Sequence, residues 1–202
     1  DKPSLFAYQM EDEIKARHKA GIDVAISFLD VGLRKWVDNN TYMNTLGWLI
    51  KIKSEVEAQY SGPGVRDYEE FLNLPMDPDN PSWIVNLPPV VKEAEKYNMA
   101  VFGVVTGVLC DAFLAFGYNL FLPMLYKEPD LAKKIMSRYA DLHSGIVKQM
   151  AECGVDAIIC GDDIAFKGRL FVSPEIYRRM VMPLHRQITS AIKKAGLPAI
   201  FH

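Results

Sequence analysis

Residues 151–174 read AECGVDAIICGDDIAFKGRLFVSP, and this stretch joins a helix to a buried strand and that strand to the next helix. Gly154 stands where the preceding helix would stop, because glycine takes the left-handed conformation past a helix end without penalty. Residues 155–160 form a short, almost continuously apolar run, as expected of a strand covered on both faces. Asp162 and Asp163 follow where the strand leaves the core. Ser173-Pro174-Glu175 then opens a helix, with a serine cap, proline in the first position and an acid in the first turn. The whole is one strand–helix unit of a parallel sheet.

The unit recurs. Lys19-Ala20-Gly21-Ile22-Asp23 leads into an apolar run, 24–29, that ends on Asp30. Lys194-Ala195-Gly196-Leu197-Pro198 leads into Ala199-Ile200-Phe201 and ends on His202. Between them, 94–98 leads into 99–106, with Asn98 in the place of glycine. The intervals are long and irregular, so this is repetition of a supersecondary unit and not a solenoid. The fold class expected is α/β with parallel strands.

With 202 residues, half of them apolar, the chain can bury a core without a disulfide scaffold. A net charge of −2 gives no reason to expect nucleic acid or an anionic membrane as partner. Cys110, Cys153 and Cys160 lack CxxC spacing and read as reduced thiols of a cytoplasmic protein. The chain begins at Asp1 and ends on a strand tip at His202, so a fragment is expected, truncated at both ends.

In chain order, 8–19 suits a charged surface helix. Residues 33–60 read as mostly helical, with Trp36, Leu46, Leu49, Ile50 and Val56 on an apolar side. Residues 67–72 make a helical turn at most. Five prolines at 75, 78, 81, 88 and 89 make 73–89 a long surface connection or lid. Residues 90–97 return to helix. The apolar stretch 99–126 must be tested as a membrane span. Asp111 in its middle and interruptions at Gly103, Gly107, Gly117 and Pro123 favour a buried strand followed by a core helix. A long helix starts at Glu128-Pro129-Asp130, with Leu131, Ile135, Tyr139, Leu142, Ile146 and Met150 on one stripe. The helix after Ser173 repeats this with Ile176, Met180, Leu184, Ile188 and Ile192, and Pro183 should kink or divide it.

Ligands of parallel α/β folds sit beyond the C-terminal strand ends. The candidates are therefore Asp30, Asp111, Asp162, Asp163 and His202. Asp162 and Asp163 are adjacent, so in extended chain they face opposite ways and only one need reach a pocket. Lys167 and Arg169, in the following loop, would meet an anionic substrate or remain solvated loop charges. An imidazole at a strand tip can ligate zinc or donate to an anion. His18, His143 and His185 fall on helices without ligand-like spacing and read as structural or surface groups.

Gly154-Val155-Asp156 through Asp162, Ser173-Pro174, Met182-Pro183 and 196–202 (Gly-Leu-Pro-Ala-Ile-Phe-His) together resemble the uroporphyrinogen decarboxylase superfamily. That group holds the decarboxylase of haem biosynthesis and zinc-dependent methyltransferases that exchange methyl groups with corrinoid proteins. The resemblance runs over about residues 67–202, and Phe28-Leu29-Asp30-Val31 is similar to the decarboxylase Phe-Ser-Asp-Ile segment. It implies a (β/α)8 TIM barrel, of which 1–202 would be a partial domain containing the 73–89 connection. On the decarboxylase side, Asp30 matches the aspartate that holds the pyrrole NH groups, and no cofactor is needed. Gly107-Val108-Leu109-Cys110-Asp111 replaces that branch's Gly-Ala-Pro-aromatic-Thr segment, and Asp163 stands where it carries serine.

On the methyltransferase side, the histidine at the position of His202 is a zinc ligand and begins a His-x-Cys motif. The other ligands would follow residue 202. The resemblance thus favours methyl transfer between a corrinoid protein and a thiol or similar acceptor, with Asp30 and Asp162 in catalytic roles. Asp111 and Asp163 would shape the substrate pocket, and His202 would bind zinc. A porphyrinogen decarboxylase is the alternative, and a non-catalytic corrinoid-binding relative a third. The partners implied are a small-molecule or tetrapyrrole substrate, a corrinoid protein and, as one option, a second copy in a homodimer.

Overall fold

A computed structural model of the chain describes residues 10–54 and 57–202. Helix α1 (Met10–Lys19) leads into β1 (Val24–Phe28). Four antiparallel strands follow: β2 (Leu33–Trp36), β3 (Thr41–Asn44), β4 (Trp48–Ile52) and β5 (Ala58–Pro63). Helix α2 (Tyr68–Leu72), a 3-10 turn at Pro81–Ile84 and α3 (Leu87–Glu95) return the chain to β6 (Ala100–Thr106). Helices α4 (Val108–Phe116), α5 (Tyr118–Lys127) and α6 (Pro129–Glu152) precede β7 (Ala157–Gly161). A small hairpin, β8 (Ala165–Phe166) and β9 (Arg169–Leu170), comes next. Helix α7 (Pro174–Ile176) runs through a π turn, Tyr177–Val181, into α8 (Met182–Lys194), and β10 (Ala199–Phe201) ends the order.

Strands β1, β6, β7 and β10 form one parallel sheet in that spatial order, each joined to the next through helices as parallel pairing requires. These are the four strands that the sequence shows as recurring units. Phe28 lies opposite Val104, Thr106 opposite Gly161, and Phe201 opposite Cys160. The strands therefore finish nearly level, and Asp30, Gly107, Asp162 and His202 emerge along one rim.

The helix ends that feed these strands share one geometry. Gly21, Asn98, Gly154 and Gly196 have φ of 75°, 52°, 88° and 79°. At three of them the next residue bonds back five positions, from Ile22 to Arg17, Met99 to Ala94 and Leu197 to Ile192. These are Schellman closures, which satisfy the last helical carbonyls and turn the chain into the strand. The stripe on α6 is buried at Ile135, Tyr139, Leu142, Ile146 and Met150, and all five apolar residues read on the α7–α8 helix are buried too. Each such side chain contributes about 1.5–3 kcal/mol when fully buried.

Residues 33–60 depart from the helical expectation, for they build the antiparallel sheet. Asp38 accepts from the N–H groups of Asn40 and Thr41 and closes the β2–β3 turn, and Asn44 accepts from Leu46 and Trp48 at the β3–β4 turn, where Gly47 has φ 89°. Such side-chain turns compete directly with helix. Tyr8 and Val56, on the two helices expected, lie outside the described residues.

The 73–89 segment also differs. Leu74, Met76 and Trp83 are buried, the Trp83 indole donates to Asp77 O at 2.8 Å, and Arg138 donates to Phe71 O and Leu74 O. It is pinned to the body of the molecule, and Pro88 and Pro89 fall in the first turn of α3, where a missing N–H costs nothing.

Among the described residues no single helix is long and apolar enough to cross a membrane, and α4 and α5 qualify only as a pair bent by 118° at Gly117.

Gly154 meets nothing within 4 Å of a built Cβ, so only backbone strain opposes a side chain there. Gly154→Ala is expected to lower unfolding free energy by about 1–2 kcal/mol, whereas Asn98→Gly leaves it level or slightly raised. Urea titration of both variants checks the pair.

Candidate functional site

The turn from β6 into α4 lies against the tip of β7. A Cβ on Gly107 would sit 1.9 Å from the Cβ of Asp162, so only glycine permits this approach. The gap left by the missing side chain admits the Asp162 carboxylate to the start of α4. Its oxygens accept from the N–H of Leu109 at 3.0 Å and of Cys110 at 2.7 Å. Two otherwise unbonded amides of the helix N-terminus are thereby satisfied, and the negative charge meets the positive end of the helix dipole. His185 Nε2 lies 2.6 Å from the same carboxylate, and Tyr177 Oη lies 3.2 Å from His185 Nδ1. Asp162 and His185 are both buried.

A second pair lies deeper. Asp111 and His143 have no exposed side-chain surface, and His143 Nε2 is 2.6 Å from Asp111 Oδ2. Thr106 Oγ1, on the last residue of β6, donates to the same oxygen at 3.0 Å. Burial pushes the Asp111 carboxyl above the ordinary carboxylate value of 3.8, and His143 and Thr106 work against that rise. Trp48 reaches across from the antiparallel sheet to donate to Asp111 O at 3.3 Å. Asp111 therefore faces the interior, holding β6, α4, α6 and the antiparallel sheet together, and lines no open surface.

The exposed layer of the rim is different in composition. Asp163 points to solvent, as strand alternation predicts once Asp162 points in. Asp30 is half-buried, and its carboxylate accepts from Gly32 N at 2.9 Å and Asn86 Nδ2 at 3.2 Å. His202 is exposed; its backbone N–H donates to Cys160 O and its carbonyl accepts from Asp162 N. Asp30, Asp162, Asp163 and His202 thus share the rim that the sequence assigns to them, while Asp111 sits beneath it.

Three tyrosines lie near these charges or near Cys110, and none was singled out in the sequence. Burial, and then the Asp30 carboxylate, raises Tyr42 above the ordinary phenol value. Burial also raises Tyr118, with Cys110 and Asp163 adding to the shift, and Tyr60, with Tyr118 and Cys110 adding. Tyr60 comes from the antiparallel sheet and donates to Leu114 O at 3.1 Å. The reading of 33–60 as helix hid the placement of Tyr42 and Tyr60 on strands of the antiparallel sheet. His143 and His185, read as structural or surface groups, are buried partners of two of the candidate aspartates. Their only sequence signal is an imidazole on the apolar stripe of an amphipathic helix.

A zinc site takes four ligands. The described residues bring His202 alone to the β10 tip, and no three His, Cys, Asp or Glu side chains gather among them. Burial, then the charges of Asp111, Asp162 and Asp163, raises the Cys110 thiol, and burial pushes Cys160 up to about 12. Neither thiol is poised as a thiolate ligand or nucleophile. These side chains do not by themselves fit a zinc ion.

A family model described as uroporphyrinogen decarboxylase (URO-D) matches residues 10–202. No curated protein matches the chain. Among solved structures, a methyltransferase from Methanosarcina mazei superposes with a TM-score of 0.70 at 17% sequence identity, over 100% of this chain and 58% of that one. The likeness is one of fold, and the chain spans little more than half the length of that relative.

Removing the Asp162 carboxylate strands two helix amides and a buried imidazole. Asp162→Ala is expected to lower stability by about 3–5 kcal/mol, and Gly107→Ala to be similarly damaging, both read by chemical denaturation. The thiols give a check by pH. The Cys160 thiol rises from an ordinary 9.0 to about 12 on folding, so the unfolded chain releases that proton first. Its contribution to stability is full below pH 9 and is lost as pH climbs towards 12. At pH 8.5 the native protein should leave Cys160 unalkylated by iodoacetamide, and the denatured protein should label it fully, as mass spectrometry would show.

Proposed function

The chain belongs to the uroporphyrinogen decarboxylase (URO-D) family, and from that premise we propose that it forms part of a methyl-transfer enzyme working between a corrinoid protein and a thiol. The observation that supports this branch is the charge of the strand tips. They present Asp30, Asp163 and His202, with Asp162 turned inward, and no lysine or arginine; Lys167 and Arg169 stand off the tips, on the β8–β9 hairpin. A polycarboxylate such as a uroporphyrinogen would meet like charge there, without the cations needed to take up its acids. A neutral thiol meets no such repulsion.

In this reading a corrinoid would supply the methyl group, its cobalt–carbon bond breaking with the electron pair left on cobalt, and the thiol would give up its proton as its sulfur forms the new bond to the methyl carbon. Asp163, exposed just past the β7 tip, is the base for that proton. Asp162 acts by positioning, since the α4 amides and His185 already occupy its carboxylate. Asp30 orients the acceptor from the β1 tip together with Tyr42. His202 is the prospective zinc ligand among the described residues. The same reading takes the four parallel strands as part of an eight-stranded (β/α)8 barrel in a cytoplasmic, homodimeric enzyme.

The decarboxylase remains the second reading because Asp30 keeps spare lone pairs at an accessible strand tip, as a ligand for pyrrole NH groups would. A non-catalytic corrinoid-binding relative would bind cobalamin and turn over neither substrate.

With methylcobalamin and a small alkyl thiol, the full-length protein should form thioether as the methylcobalamin absorbance is lost. Asp163→Asn should lower kcat by about 10²-fold, and His202→Ala should lower both activity and any zinc content found by metal analysis. Turnover of uroporphyrinogen that collapses in Asp30→Asn, with no thioether formed, would replace this reading with the decarboxylase.

A further inference from the structure

The hairpin of β8 and β9 is not used by the chemistry above, yet it builds a distinct surface. It opens directly from the β7 tip, closed by Phe171 N–H to Ile164 O and by pairing of Phe166 with Arg169. Between it and α5 lies a groove of about 890 Å³, walled by Tyr118, Leu122, Phe166, Phe171 and Pro174, with Arg169 on its lip. That size is within the range of small-molecule sites.

The walls are aromatic and stepped. Phe171 lies 5.6 Å from Tyr118 and 5.2 Å from Phe166, centroid to centroid, and Phe113 backs both Tyr118 and Phe171 from beneath. Phe166 is 43% exposed and Tyr118 39%, so two large rings of a packed ladder present open surface to the same groove. Isolated exposed apolar residues are ordinary; adjoining ones in a concavity mark a binding surface.

Charge narrows the occupant. Lys167 and Arg169 are both exposed on the hairpin, and neither joins an ion pair among the described residues. The Arg169 guanidinium lies 4.8 Å over the Phe166 ring, which holds its charge at the groove lip. Rings that accept a planar face thus stand beside a cation that accepts an acidic edge.

We propose that this groove binds a flat conjugated molecule bearing an acidic substituent, its ring on Phe166, Phe171 and Tyr118 and its acid on Arg169. The proposal does not rest on methyl transfer, and it stands or falls separately from it.

The test uses two matched probes on the full-length protein, 2-naphthalenesulfonate and neutral 2-naphthalenemethanol, followed by fluorescence. The sulfonate should bind at least tenfold more tightly than the alcohol, and rising salt should shrink that ratio. Arg169→Gln should abolish the preference while retaining weak binding of both. Phe166→Ala should weaken both probes by at least fivefold, and Lys134→Gln, on the remote face of α6, should change neither. Equal affinity of the two probes for the unaltered protein, or a Kd that neither hairpin substitution moves, overturns the proposal. The comparison on the unaltered protein decides it even if a variant fails to fold.

Discussion

The contact between Gly107 and Asp162 sets the position of nearly everything on the rim. A helix that starts at a strand tip exposes amides with no partner, and a neighbouring strand tip can supply one only by approaching closer than any Cβ allows. Here the glycine at the helix start and the aspartate after the next strand solve that problem together. The result fixes α4 against β7, and with it the place of Cys110 and the direction in which Asp163 must point. His185 then holds the carboxylate from the far side, so the rim is tied to α8 as well.

Two layers follow from that arrangement. The inner one pairs each aspartate with an imidazole, Asp162 with His185 and Asp111 with His143, at 2.6 Å and out of water. Buried charge is tolerated only where it is paired and hydrogen-bonded, and these pairs leave little freedom for either aspartate to act on a ligand. The outer layer holds Asp30, Asp163 and His202, with tyrosines from the antiparallel sheet and α5 around them. The outer layer is what a ligand at the rim would meet, and the inner layer keeps it in register.

The parallel sheet was legible because its signals are local. A positive-φ residue two or three positions beyond each helix, an apolar run and a polar tip recur within a dozen residues, and even Asn98 could be read as a glycine substitute. The antiparallel sheet was not, because Trp36, Leu49 and Ile50 also suit a helical stripe. The turns that exclude a helix depend on Asp38 and Asn44 side chains bonding to backbone nearby. The histidines were missed for a different reason. His143 lies 32 residues from Asp111 and His185 lies 23 from Asp162, so no spacing connects them; only the fold does. Which of Asp162 and Asp163 turns inward was likewise open until the Gly107 contact decided it.

Pro183 shows how a local irregularity reaches the same rim. Proline cannot donate to the carbonyl four residues back, so a regular helix through 183 would leave that group unpaired. The chain answers with a π turn, in which Met182 N–H bonds to Tyr177 O, five positions back. In an unbroken α-helix, residues eight apart are rotated by about 80° from one another. One residue absorbed by the π turn brings them to within about 20° of the same face. Tyr177 and His185 are eight apart, and the tyrosine hydroxyl stands 3.2 Å from the imidazole. The proline that should have interrupted the helix thus aligns the two side chains that carry the hydrogen-bonded chain from the helix surface to Asp162.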